Sequence, residues 1–412
     1  MKNSTCLIPV LLCLCTVSFS SCENKKQVNN ANQGSAESRA IPVIKIEPPD
    51  ESDLKPLLLS EFADSISYVK MDTDPSYFVS SSSAIKTEEG YLFRSDMLHF
   101  SKEGKFLCQV GKSGRGPGEY ISPSAMGVDP KNKIVYVRGY GTIHSLLKYS
   151  LTDGKYIGTL KKDFVDAMMM IKGMDDALVM AYIPQDKRLT EVKQDIILYN
   201  TVLDSVMDSR TFDYHITTGE MGNNNHDFSN RTIMTSYHDN IYYKTTYTDT
   251  LYSITKEKIT PCLIVDLGKY ALPVDFIYGS EPYENIIKIQ SILIAGNHLF
   301  LQCTYYSSYG INNTTVARSG FMYICDMNGK NGSYYEPMFT NDLDNGPNYY
   351  IPARGDMDVI NVGEVDGEMK DYYLPNNKME KKMKDKDRFK RLYEASNPVE
   401  DNPIVRTIHW KE

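Results

Sequence analysis

One unit recurs along this chain and limits what it can fold into: four short runs of alternating apolar residues, joined by tight turns. One copy reads Ala125–Val128, a turn at Pro130-Lys131-Asn132-Lys133, Ile134–Val137, Leu146–Tyr149, a turn at Asp153-Gly154, and Tyr156–Leu160. The copy before it reads Ala84-Ile85-Lys86, Tyr91-Leu92-Phe93, Leu98-His99-Phe100 and Phe106-Leu107-Cys108, with turns at Glu89-Gly90 and Glu103-Gly104. Gly104-Lys105-Phe106 is echoed by Gly154-Lys155-Tyr156, and Gly329-Lys330 repeats the turn later. Apolar residues at every second position over four to six residues mark half-buried strands, and Asp, Asn and Gly mark the turns between them. Thirty tyrosines, with many β-branched residues, favour the pleated sheet over the helix.

A four-stranded meander cannot bury both of its faces alone. Meanders of roughly fifty residues packed radially cover each other's faces and leave few exposed edges. The expectation is therefore an all-β chain, a six-bladed β-propeller of four-stranded antiparallel blades with a short C-terminal helix. Blades fall near 66–110, 121–161, 166–210, 231–267, 289–336 and 338–374, with residues 211–230 as an Asn- and His-containing insertion. The helix spans about 379–394 (Met379 to Glu394). Its lysines and arginines are interleaved with acids, which favours a solvated face over a lipid or partner contact. A closing strand follows at about 403–409, and Val43-Ile44-Lys45-Ile46 is a candidate partner that would join the two ends of the chain.

The N-terminus reads differently. Lys2 precedes an apolar run from Cys6 to Phe19, shorter than the roughly 20 residues a membrane span needs, so 1–21 is expected to be a signal peptide. The run ends in Phe19-Ser20-Ser21-Cys22, which resembles a bacterial lipobox, where cleavage before Cys22 leaves that cysteine to carry lipid. The alternative is an ordinary leader cut nearby. Residues 22–41 are rich in Asn, Gln, Ser and Lys and cannot bury enough apolar surface to fold, so they are expected to be a lipidated, flexible tether for a propeller over 42–412. The lipid bilayer is then one partner, and the location is the cell envelope, as an outer-membrane lipoprotein. Lys25-Lys26 after the anchor favours the periplasmic side over the cell surface. A formal net charge of −8 argues against a nucleic-acid partner, which would select a basic face.

Several segments in order carry a resemblance. They are Ser65-Ile66-Ser67-Tyr68-Val69, Gly111 to Tyr120 (GKSGRGPGEY), Asp249-Thr250-Leu251-Tyr252, Pro261, Asp266-Leu267-Gly268-Lys269, Asn341 to Gly346 and Asp401-Asn402-Pro403-Ile404-Val405. Together the chain resembles the six-bladed β-propeller lipoproteins of gut Bacteroidetes, which are distantly similar to NHL-repeat proteins. That resemblance covers about 42 to 409, and implies fold and location with no defined activity.

The distinctive GKSGRGPGEY segment fails as a phosphate loop, because Phe106 stands where its first glycine is required, and as a dinucleotide fingerprint, because Glu119 stands where the third is required. Its plainer reading is a tight connection between blades, its glycines taking positive φ. The functional reading presents Arg115, Glu119 and Tyr120 at a propeller face, with Arg94, Asp96 and Arg138 near the same mouth as a ligand site. Cys108, Cys262, Cys303 and Cys325 stand alone in apolar runs and read as core residues, with one disulfide as the alternative. No GxSxG elbow, HxxxH or HExxH occurs. Asp342, Asp344 and Asn345 hint at structural Ca2+, but their spacing departs from an EF-hand loop. Paired tyrosines such as Tyr305-Tyr306, Tyr334-Tyr335 and Tyr349-Tyr350 read as blade packing, or else as a sugar-stacking surface. The functional expectation is a membrane-anchored extracytoplasmic protein that uses a propeller face to bind a glycan, peptide or protein partner, with no cofactor and no catalytic residues. Its rivals are a lactonase-like enzyme with a metal in the central channel, and a structural component of an envelope assembly.

Overall fold

The computed structural model describes residues 40–80, 83–139, 145–162, 165, 168–182, 196–212, 232–245, 248–272, 283–309, 318–352, 357–360, 387–397 and 400–412. Cys22 and the expected leader lie outside these residues, as do most of 211–230, 361–374 and the first part of the expected helix.

The first elements are β1 (Val43–Lys45), α1 (Leu59–Phe62) and β2 (Ala63–Lys70). Blade 1 follows as β3 (Ser83–Lys86), β4 (Gly90–Phe93), β5 (Leu98–Ser101) and β6 (Phe106–Gln109). Blade 2 is β7 (Pro123–Asp129), β8 (Ile134–Gly139), β9 (Ser145–Ser150) and β10 (Tyr156–Lys161). In blade 3 the strands are β11 (Met168–Met174), β12 (Ala177–Tyr182), β13 (Ile196–Asn200) and β14 (Ser205–Arg210). Those of blade 4 are β15 (Thr232–Tyr237), β16 (Asn240–Thr245), β17 (Thr250–Ile254) and β18 (Ile259–Asp266). Blade 5 holds β19 (Tyr283–Ala295), β20 (His298–Tyr309), β21 (Arg318–Asp326) and β22 (Ser333–Tyr335). Each is an antiparallel meander, and with the sixth they form a six-bladed β-propeller.

The sixth blade differs from the expectation. It is assembled from β23 (Met357–Ile360), β24 (Ile404–Trp410) and β2, which takes the outermost place. The segment 66–70, expected in blade 1, therefore belongs here, and the ring closes through Ile66↔Ile408, Tyr68↔Arg406 and Lys70↔Ile404. Val43–Lys45 instead adds in parallel to the outer edge of blade 4, opposite Val265 and its neighbours. Proline explains the difference: Pro42 and Pro48-Pro49 flank a three-residue strand and supply no N–H donors, which confines it to an edge. The eight-residue β2 has donors along its whole length.

Among the described residues, one apolar cluster fills each gap between neighbouring blades. Met126, Val135 and Tyr149 meet Leu92 and Val110 between blades 1 and 2. Ile171 and Leu178 meet Tyr136 and Leu146 between blades 2 and 3, and Tyr243 and Ile254 meet Leu198 between blades 3 and 4. Leu251 and Leu263 meet Leu301 and Phe321 between blades 4 and 5. Phe300 meets Phe62 and Ile66 between blades 5 and 6, and Val405 meets Phe93 between blades 6 and 1. Each sheet is hidden on both faces by its neighbours, which is why its strands read as apolar runs. Cys303 and Cys325 lie buried in the gap between blades 4 and 5, and all four described cysteines are free. The described part of the C-terminal helix is α2 (Arg388–Glu394), which is not wholly solvated: Phe389 is buried against Ile360 and Ile404.

The repeated Gly-Lys turns have a common structural cause. Gly104, Gly154 and Gly329 have φ of +83°, +70° and +72°, and each presses on the outer strand of the preceding blade. A Cβ would lie 2.2 Å from the Lys70 carbonyl oxygen at Gly104, 1.9 Å from that of Gln109 at Gly154, and 2.8 Å from Ile44 at Gly329. In two of the three the turn carbonyl also accepts a bond from the chain leaving that strand, Asp72 N–H to Gly104 at 2.7 Å and Gly111 N–H to Gly154 at 2.8 Å. The motif is a blade-to-blade seal.

Candidate functional site

The innermost strands β3, β7, β11 and β15 of four successive blades border a cavity of about 740 Å³ on the propeller axis. Its walls carry Ile85, Met126, Gly127, Ile171, Lys172, Gly173 and Ser236, and Arg94 reaches it from the end of β4. Inner strands of a ring crowd toward the axis, so small residues are needed where they touch. A Cβ on Gly173 would lie 1.7 Å from the Val128 carbonyl oxygen, and one on Gly127 would lie 2.6 Å from Ile171 Cγ2.

Turns that follow the inner strands form the rim, with Glu88, Pro130, Asp175, His238 and Asp239, joined by Lys256 from an outer turn. Charged contacts tie successive blades together here. Lys133 Nζ lies 2.6 Å from Glu89 between blades 1 and 2, and Lys256 lies 3.1 Å from Asp175 between blades 4 and 3. Lys131 pairs with Asp176 between blades 2 and 3, where Asn132 Nδ2 also donates to Asp176 at 2.8 Å. Burial pushes the Glu89 carboxyl up, but the hydrogen bond and charge of Lys133 hold it below the usual carboxylate range. Asp176 is held down by its bonds from Lys131 and Asn132.

Behind the rim, buried His99 bridges the two blades. Nε2 meets Thr87 Oγ1 at 3.1 Å and Nδ1 meets the Leu151 carbonyl at 3.2 Å. Burial pushes its pKa below the usual histidine value, outweighing nearby Glu89. Lys244, in β16, is a second buried titratable group. It donates to the Thr245 and Thr248 carbonyls, and burial pushes its ammonium down to about 8.

The expected site residues do not form one mouth. Arg94 lines the cavity and donates to the Met126 carbonyl at 3.4 Å. Asp96 instead binds Ser80, accepting from its N–H at 3.2 Å and its hydroxyl at 2.7 Å. Arg138 is half-buried on β8 opposite Ala125. Of the 111–120 loop, none of Arg115, Glu119 and Tyr120 borders the cavity. Arg115 is exposed, Glu119 accepts from the Gly116 N–H at 2.8 Å, and Tyr120 is buried with its hydroxyl donating to Val110 at 2.9 Å. Gly111 and Gly118 have φ of +71° and +76° and lie against Tyr149 and Tyr156, so this loop is the tight connection of the plainer reading. Cys22 lies outside the described residues.

Asp342 accepts from the Ser60 N–H at 2.8 Å and hydroxyl at 2.5 Å, anchoring α1. Asp344 accepts from Asn341 Nδ2 at 2.7 Å and the Tyr68 hydroxyl at 3.2 Å, and Asn345 is the turn residue at φ +58°. Among the described residues, no group of three or more His, Cys, Asp or Glu side chains is placed to hold a metal ion. Tyr334 packs on Tyr323 and Tyr349 on Phe339, as core tyrosines do, whereas Tyr350 is exposed. Sequence reasoning missed Lys172, Ser236, His238 and Asp239, since each comes from one strand end of a separate blade and no spacing links them.

Among the described residues no helix is long and apolar enough to cross a membrane. No curated protein matches the sequence. A solved structure of a Bacteroides fragilis protein described as exported is similar in fold, with 17% identity and a TM-score of 0.56 over 90% of this chain and 100% of that one. A member of the DUF4221 family from Bacteroides vulgatus superposes more loosely, with 10% identity and a TM-score of 0.43 over 85% and 97% of the two chains. The family described as Domain of unknown function (DUF4934) matches residues 41–408, nearly the whole propeller, and the chain belongs to that family.

Proposed function

We propose that the chain is a ligand-binding propeller held outside the cytoplasm by lipid on Cys22, with the axial cavity as its binding site. The observation that carries this reading is the cavity itself. At about 740 Å³ it falls within the roughly 300–1,000 Å³ of small-molecule sites, and it draws polar groups from four blades onto one volume. A small glycan or a short peptide is the class of ligand such a volume takes. The loop at Arg115 lends no support, because none of Arg115, Glu119 and Tyr120 borders the cavity.

The test is a thermal-shift screen of saccharides and short peptides on the full chain, with a Ser236→Trp variant that fills the cavity. The reading expects a ligand that raises the melting temperature of the wild type and leaves the variant unmoved. Ligands that stabilise both proteins equally would place binding elsewhere. For the anchor, cells fed a clickable palmitate analogue should label the wild-type chain and leave Cys22→Ala unlabelled; equal labelling of the two removes Cys22 as the lipid site.

A further inference from the structure

We infer that the β13–β14 turn and the lysines beside it dock on an anionic phospholipid surface, Val202 and Leu203 entering it while Lys148, Lys161 and Lys162 meet its phosphates. The choice of a bilayer over a protein partner rests on the reading of Cys22 as a lipid anchor. Val202 and Leu203 are the most exposed large apolar side chains among the described residues, at 65% each. Val206 and Met207, on the strand that follows, are exposed as well.

The fold itself does not call for aliphatic residues at this turn. The corresponding turn between third and fourth strands exposes Lys102-Glu103 in blade 1, Thr152-Asp153 in blade 2 and Lys256-Glu257 in blade 4. Nor does the exposure come from a loosely held loop. Asn200 Oδ1 accepts from the N–H of Val202 at 2.9 Å and of Leu203 at 2.7 Å, and the Thr201 N–H donates to the Asp176 carbonyl at 2.8 Å. The tip is fixed to its blade with both side chains in water, where their burial against a partner is favourable.

Thr201 and Asp204 flank this pair and border a cavity of about 320 Å³ between blades 2 and 3, which Lys148, Lys161 and Lys162 also line. Three lysines thus stand against one bordering carboxylate, and that one is already engaged. Asp204 accepts from Lys162 at 2.9 Å and from the Tyr199 hydroxyl. Asp129, behind Thr201, is held by the Asn132 N–H at 3.1 Å and Nδ2 at 2.9 Å. Cations beside an aliphatic tip match a bilayer surface, where phosphates lie above acyl chains. Lysine stems let the ammonium groups stay at the level of the phosphates.

The experiment is co-sedimentation of residues 23–412, which hold every described element and no acyl group, with two kinds of vesicle. One is phosphatidylcholine alone, and the other is phosphatidylcholine mixed equally with phosphatidylglycerol. The wild type is compared with Val202→Ser/Leu203→Ser and Lys148→Gln/Lys161→Gln, after melting curves show that both variants fold. The inference expects binding to the anionic vesicles, about tenfold weaker in each variant and weakened by added salt. Absence of binding to the anionic vesicles, or binding unchanged in either variant, overturns it. Equal binding to the two vesicles overturns it as well, since the lysines would then select nothing. A wild-type dimer that is lost in Val202→Ser/Leu203→Ser, with no vesicle binding, overturns it and assigns the turn to a second copy of the chain. The protein tested carries no lipid, so each outcome is independent of whether Cys22 is acylated.

Discussion

Gly173 Cα stands so close to the Val128 carbonyl that a methyl group on it would lie 1.7 Å from that oxygen. At this point the inner strands of blades 2 and 3 thus meet backbone to backbone. Gly173→Ala must push β11 away from β7, an overpacking that costs about 1–3 kcal/mol. Gly127→Ala meets Ile171 Cγ2 at 2.6 Å and the Gly173 backbone N at 3.2 Å, a looser fit than that at Gly173, so it is expected to cost less. Urea denaturation of the two variants checks the order, and equal midpoints would contradict it.

A second expectation concerns Phe300, which is fully buried between blades 5 and 6 and meets Phe62, Phe339 and Trp410 at ring-centroid distances of 5.2, 5.5 and 5.8 Å. Phe300→Ala leaves a cavity among rigid aromatics and is expected to cost about 3–5 kcal/mol. The chain has a single tryptophan, and it lies in this cluster, so its emission during denaturation reports directly on whether the gap holds.

His99 predicts an acid response. Its ring is buried and its folded-state pKa is pushed below the usual 6.5, so the unfolded chain takes up the proton first. The stability it contributes is present above pH 6.5 and drains away as pH falls through the lower folded value. His99→Gln has no such proton to accept. The wild type is expected to lose stability relative to this variant as pH drops below 6.5, measured by denaturant melts. Parallel pH profiles would show that the ring does not titrate on unfolding.

Asp342 holds Ser60 by both its N–H and its hydroxyl, and so fixes α1 just before β2. Asp342→Ala leaves the Ser60 N–H without that acceptor, at a cost of about 1–3 kcal/mol. Thermal melts of the variant check this, and an unchanged midpoint would mean that the carboxylate is dispensable for the fold.

Most of the blade pattern was legible because it is local. Alternation and turn glycines such as Gly104 and Gly154 encode a meander within a few residues, and the strands of blades 2 to 5 lie close to where they were expected. Closure is not local. Val43–Ile46 and Ile66–Val69 carry the same apolar alternation, and only the flanking prolines and the length of the partner distinguish them. Of the candidate site, only Arg94 was legible. Glycine-rich 111–120 drew attention by its composition, yet its glycines serve Tyr149 and Tyr156. Lys172 and Ser236 look unremarkable in sequence and gain meaning only when the ring brings their blades side by side.

The pairing of Ser67 with His409 spans 342 residues. Bringing such distant segments together costs on the order of 5 kcal/mol in chain entropy, so β2 gains little until the intervening blades have gathered. During synthesis its edge stays open while the meanders that follow it form. Ring formation is then a late event, and a chaperone that shields this early strand would protect the nascent protein from pairing with its neighbours.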